Sequence, residues 1–265
     1  MSSSVRLASW AMVGITASWL TATAAFAHFD VVPYSDGSKI LTGGHDHGVS
    51  PEVTVPSMTV YGYDFNEDPG NPYEIGDPGI NNSSSFTSGV FVNDGLLPAG
   101  MLSFSVYSGS YGSLHYWDGT GSPSFSPVTG GVEVTLASTL GSLSIGAATT
   151  SGSFDIRNVL AVGPSAGRVH LHLDSTISSG VPDGIYALGG VLSTSASGVA
   201  DSDPIYFVYN MNASEESHDD AIAFYESLGP TAVPEIDPNS LGSAFALVAG
   251  SLAWLERRRG NRGAR

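Results

Sequence analysis

Glycine, serine, proline and asparagine cut the middle of this chain into short β-branched and aromatic runs at 53–63, 86–92, 102–107, 132–136, 143–145, 154–160, 169–173, 185–192 and 205–209. Runs this short, bounded by turn formers, read as strands. The 33 Gly and 15 Pro among 265 residues supply the turns between them. Many short strands with frequent turns predict an all-β fold, an antiparallel β-sandwich. The segment 28–232 fits a single domain of that kind. Its Ser/Gly-rich stretch 108–131 is open to two readings, a long loop or an irregular hairpin, and no fixed-period repeat is present.

One segment breaks the pattern, near the C-terminal end of the domain. Ser214 can cap a helix, Glu215 and Glu216 suit the positive end of its dipole, and Gly229-Pro230 stops it. Ala221, Phe224, Tyr225 and Leu228 fall at helical spacing and predict a buried stripe, with His218 on its edge.

Both ends read as addresses. Arg6, the apolar run 7–25 and Ala25-Phe26-Ala27 make a secretory signal peptide over 1–27, cleaved by signal peptidase before His28. A new N-terminal His28 also permits a copper-chelating amine and imidazole. At the other end, Val233-Pro234-Glu235 precedes an apolar run over 241–255, and Arg257, Arg258 and Arg259 follow it. Fifteen residues at helical rise span about 22 Å, a short membrane helix whose arginines stay on the cytoplasmic side. Motif, apolar helix and arginine cluster over 233–265 resemble the PEP-CTERM sorting signal of Gram-negative bacteria. The resemblance implies transient membrane insertion, cleavage by an exosortase, and a protein exported to the periplasm, the outer membrane, the cell surface or the medium.

Between residues 28 and 232 there are 22 acidic residues against three basic ones. Such a surface repels phosphate backbones and attracts cations, which excludes nucleic acid as a partner and favours divalent ions. The chain has no cysteine, so disulfides, thiolate metal sites and cysteine nucleophiles are excluded. Imidazole is then the obvious borderline ligand, suited to zinc, copper or nickel. His45-Asp46-His47 follows Gly43-Gly44 in an expected loop. His170 and His172 alternate with aliphatic residues on an expected strand, so both rings leave one face. His45, His170, His172 and His218 are the expected ligands, with Asp46 and His47 in the first or second ligand shell. H-x-H on a strand is also compatible with a merely polar sheet face. His115, between Leu114 and Tyr116, is expected to pack. A second candidate is the oxygen-rich loop 64–77, with Asp64, Glu67, Asp68, Glu74 and Asp77, where calcium could bind without an EF-hand spacing.

Asp30-Val31-Val32-Pro33-Tyr34, Thr42-Gly43-Gly44-His45-Asp46, Val60-Tyr61-Gly62-Tyr63-Asp64-Phe65, Glu67-Asp68-Pro69, Asp77-Pro78-Gly79, His170-Leu171-His172-Leu173 and Glu215-Glu216-Ser217-His218 together resemble the zinc-uptake-regulator-repressed PEP-CTERM proteins. His47 departs from that pattern, where an acidic residue is expected. The resemblance implies zinc as the metal and capture of zinc under limitation as the role. A structural or adhesive protein of the biofilm matrix, with incidental histidines, is the alternative. A zinc-dependent hydrolase is third, and the absence of H-E-x-x-H, G-x-S-x-G and S-x-x-K motifs favours a non-enzymatic protein.

Overall fold

A computed structural model of the chain describes residues 29–229. The expected signal peptide, His28 and the sorting signal with Val233, Pro234, Glu235, Arg257, Arg258 and Arg259 lie outside the described residues. The strands run β1 (Asp30–Ser35), β2 (Ile40–Asp46), β3 (Val53–Pro56), β4 (Val60–Asp64), β5 (Glu74–Ile75), β6 (Gly79–Asn81), β7 (Gly100–Val106) and β8 (His115–Trp117). They continue with β9 (Ser126–Pro127), β10 (Glu133–Ser138), β11 (Gly141–Gly146), β12 (Ser153–Val159), β13 (His170–His172), β14 (Asp174–Ile177), β15 (Gly184–Thr194) and β16 (Ile205–Met211). Two α-helices are present among the described residues, α1 (Ser84–Thr87) and α2 (Glu215–Leu228).

The fold is all-β, in three sheets. A five-stranded sheet has the order β13-β6-β1-β2-β3, and a four-stranded sheet the order β11-β10-β14-β5. A seven-stranded sheet has the order β12-β7-β15-β16-β4, with β8 attached at β15 and β9 paired to β8. Pairing is antiparallel except between β1 and β6 and between β16 and β4.

Period-2 alternation decides what each face buries. Phe207 and Tyr209 of β16 join Tyr61 and Tyr63 of β4 in the main core, which also takes Val31 and Ile80 from the five-stranded sheet and Val134, Leu136 and Ile177 from the four-stranded sheet. Tyr206 and Val208 point the other way, into a second cluster beneath α2 with Ala221, Ile222 and Tyr225. Two tyrosine hydroxyls tie sheet to sheet: Tyr61 Oη donates to the Gly43 carbonyl at 2.7 Å and Tyr63 Oη to the Phe29 carbonyl at 2.9 Å. Burial raises both hydroxyls above the ordinary tyrosine range, which keeps them protonated as donors.

Several expectations change. The run at 53–63 is two strands, broken at Ser57, whose φ is 65°. The run at 86–92 is not a strand: α1 and a turn at Val92–Gly95 occupy this region. They lay Phe86 and Phe91 over the outer face of the five-stranded sheet, against Val32 and Tyr34. The stretch 108–131 carries the short β8–β9 pair. His45-Asp46 ends a strand and not a loop. Gly43 and Gly44 are small because Phe91 and Met58 press on the two faces of β2, where an added Cβ would collide with them. In α2 the buried stripe is His218, Ala221, Ile222 and Tyr225, and Leu228 is exposed. The stripe sits one turn earlier than expected because a buried carbonyl satisfies His218.

Candidate metal centre

The registers of the five-stranded sheet assemble the site. His172 pairs with Gly79, Asp30 with His45, and His45 with Thr54, while β1 and β6 run parallel with Val31 beside Ile80. One row therefore crosses the sheet on its outer face: His172, Gly79, Asp30, His45. Gly79 has no side chain, and the Asp30 carboxylate leans into that space with Oδ1 nearest the glycine. His47, one residue beyond β2, turns back so that its Nδ1 lies 3.7 Å from Asp30 Oδ2. Asp77, two residues before β6, brings Oδ1 to 3.6 Å from His172 Nδ1.

Asp30, His45 and His47 each offer a ligand atom within 4.8 Å of the others, and so do Asp30, Asp77 and His172. Asp30 belongs to both groups.

Each side chain is held in a ligand-like state. Asp30 is only 2% exposed, and its Oδ2 accepts from Asn81 Nδ2 at 3.2 Å. Among the described residues no lysine or arginine pairs with it: Lys39 pairs with Asp203 at 2.6 Å, while Arg157 and Arg168 line a different cavity. Apart from one amide donor, this buried carboxylate has only the exposed His47 imidazole, 3.7 Å from its Oδ2, within ion-pair reach. His45 is 3% exposed and stacks on Phe86 with ring centroids 3.7 Å apart and planes 6° from parallel. Its Nε2 lies 3.2 Å from Glu52 Oε2, and its buried Nδ1 has no hydrogen-bond partner. The carboxylate assigns the ring proton to Nε2, which leaves a lone pair on Nδ1. Metal-binding histidines take this form, donating one N–H to a carboxylate or carbonyl and presenting the other nitrogen. His172 repeats it, with Nδ1 donating to the Gly76 carbonyl at 2.8 Å.

The remaining expected ligands go elsewhere. His170 shares the outer face but sits two residues along from His172, exposed at the rim of a cavity of about 310 Å³ with Arg157, Arg168 and three serines. Asp46 alternates away from His45 and accepts the Gly48 N–H at 2.8 Å, fixing the turn after β2. His218 is separated from this face by the seven-stranded sheet: it packs over Gly62, donates from Nε2 to the Val208 carbonyl at 3.1 Å, and places Nδ1 3.6 Å from Asp64. His115 is buried with Nδ1 on the Ser113 carbonyl and its ring beside Tyr111.

Two carboxylates of the oxygen-rich loop bond within it, while Asp64 faces His218 and Asp77 faces His172. Asp68 accepts from Gly70 N, and Asn71 donates to Glu74. Of its carboxylates, Asp77 alone joins a three-ligand group among the described residues. Sequence reasoning missed Asp30, and it placed Asp77 with the calcium loop and not with the histidines. Their signal was an aspartate opening one strand and another just before Gly79, which acquires meaning once β1, β6 and β13 are neighbours.

Imidazole nitrogens and carboxylate oxygens without thiolate suit zinc or another borderline divalent ion. No protein-family description, no curated protein and no solved structure matches the chain.

Proposed function

We propose that this chain is an exported, non-enzymatic zinc-binding protein that captures the ion at the Asp30 face of a β-sandwich body. The observation that carries the reading is a buried His45 whose Nδ1 has no hydrogen-bond partner, in one three-ligand group with the buried Asp30 carboxylate. A buried ring nitrogen without a hydrogen-bond partner and a buried carboxylate held by one amide are costly to sequester together, and a shared cation would offset that cost. Zinc is the ion implied by the resemblance of the body, and the donor set accepts it. An acidic surface raises the local concentration of divalent cations around the site, in keeping with capture under limitation at a surface reached through exosortase processing.

Competition between the purified chain and a chromogenic chelator tests this. Zinc should be withdrawn from the chelator, and His45→Ala should weaken binding at least about tenfold, with His170→Ala leaving it unchanged. Absence of zinc uptake, or equal affinities for wild type and His45→Ala, contradicts the reading.

A further inference from the structure

Resting on that metal-binding reading, we propose that the site is dinuclear, with the Asp30 carboxylate bridging two divalent ions. His45 and His47 hold the first; Asp77 and His172 hold the second. The argument is one of reach. Zinc bonds to nitrogen and oxygen are about 2.0–2.2 Å long, so two ligands of one ion stand at most about 4.4 Å apart. The five side chains do not form a single group within even 4.8 Å; they form two groups of three that meet only at Asp30. One ion cannot gather all five where they stand.

The orientation of Asp30 agrees with a bridge. Its Oδ1 leans over Gly79, the residue that separates it from His172 in the row, while Oδ2 lies 3.7 Å from His47 Nδ1 on the opposite side. Each oxygen thus faces one group. The two ring nitrogens that would anchor the pair are prepared in the same way. His45 gives its Nε2–H to Glu52 and His172 its Nδ1–H to the Gly76 carbonyl, so the nitrogens left to bind an ion are Nδ1 of His45 and Nε2 of His172. Carboxylate-bridged pairs place their ions about 3.5–4 Å apart, and Gly79, having no side chain, lets the Asp30 carboxylate lie between the two groups.

Native mass spectrometry of the full chain titrated with zinc counts the ions. The expected result is two per chain, falling to one in His47→Ala and to one in His172→Ala, with Asp30→Asn weakening both. Zinc-edge X-ray absorption on the wild type needs no variant and should show a metal–metal distance of about 3.5–4 Å. A single ion per wild-type chain, or no metal–metal signal in a saturated sample, overturns the bridge and leaves the zinc-binding reading standing. No bound zinc at all overturns both.

Discussion

Asp30 and Gly79 act as one unit. The carboxylate occupies the volume that any side chain at residue 79 would fill, and an added Cβ there would collide with Asp30 Oδ1. Gly79 is needed for that space, since its φ lies outside the left-handed region. Gly79→Ala should therefore displace Asp30 while leaving the strand's backbone intact, and weaken zinc binding about tenfold or more. Isothermal titration checks this, and undiminished affinity would show that Asp30 is not held by that contact. The histidine half of the site was legible in the sequence: H-x-H on a strand sends both rings to one face, and His170 and His172 do leave the face opposite Leu171, which packs on the core. Which of the two joins the candidate site was not legible. That depends on a neighbour 93 residues earlier in the chain, Gly79, brought alongside His172 by strand pairing.

At the level of elements, helix α2 is the clearest local signal and behaves as its sequence dictates. Ser214 Oγ accepts the Ser217 N–H at 3.2 Å, two glutamates fill the first turn, and Gly229 follows the last. Its docking depends on Gly62 of β4, where a new Cβ would stand 2.7 Å from Ile222 Cδ1 and 3.0 Å from His218 Nε2. Gly62→Val should overpack this contact and cost about 1–3 kcal/mol of stability, read by urea denaturation, with zinc stoichiometry preserved because the helix lies across the seven-stranded sheet from the metal face. Unchanged stability would mean that α2 does not press on β4. His218 belongs to this docking contact, and its inward position was legible from the helix period. Its carbonyl partner was not, since Val208 comes from another strand. The segment 86–92 misled for a related reason. Its apolar residues are those of a cover laid on a sheet, and composition alone does not separate a cover from a strand; Thr87 Oγ1 instead bonds back to the Ser83 carbonyl at 2.8 Å in a short helical turn.

Across the whole molecule, the all-β class follows from turn punctuation, and the acidic excess over 28–232 follows from composition. The candidate site follows from neither. It exists because β13, β6, β1 and β2 lie side by side in an order unlike their order in the chain, so that residues 30, 45, 47, 77 and 172 share one face. Non-local pairing of this kind is set by the packing of the three sheets around a common core, which short-range patterns do not encode. The most direct test of the account is anomalous diffraction at the zinc edge from crystals of the zinc-loaded chain. Peaks about 2.0–2.2 Å from Asp30 oxygens, with His45 and His172 as ligands, are the predicted result. Zinc bound only at His170, at His218 or in the 64–74 loop, with none at Asp30, would contradict it.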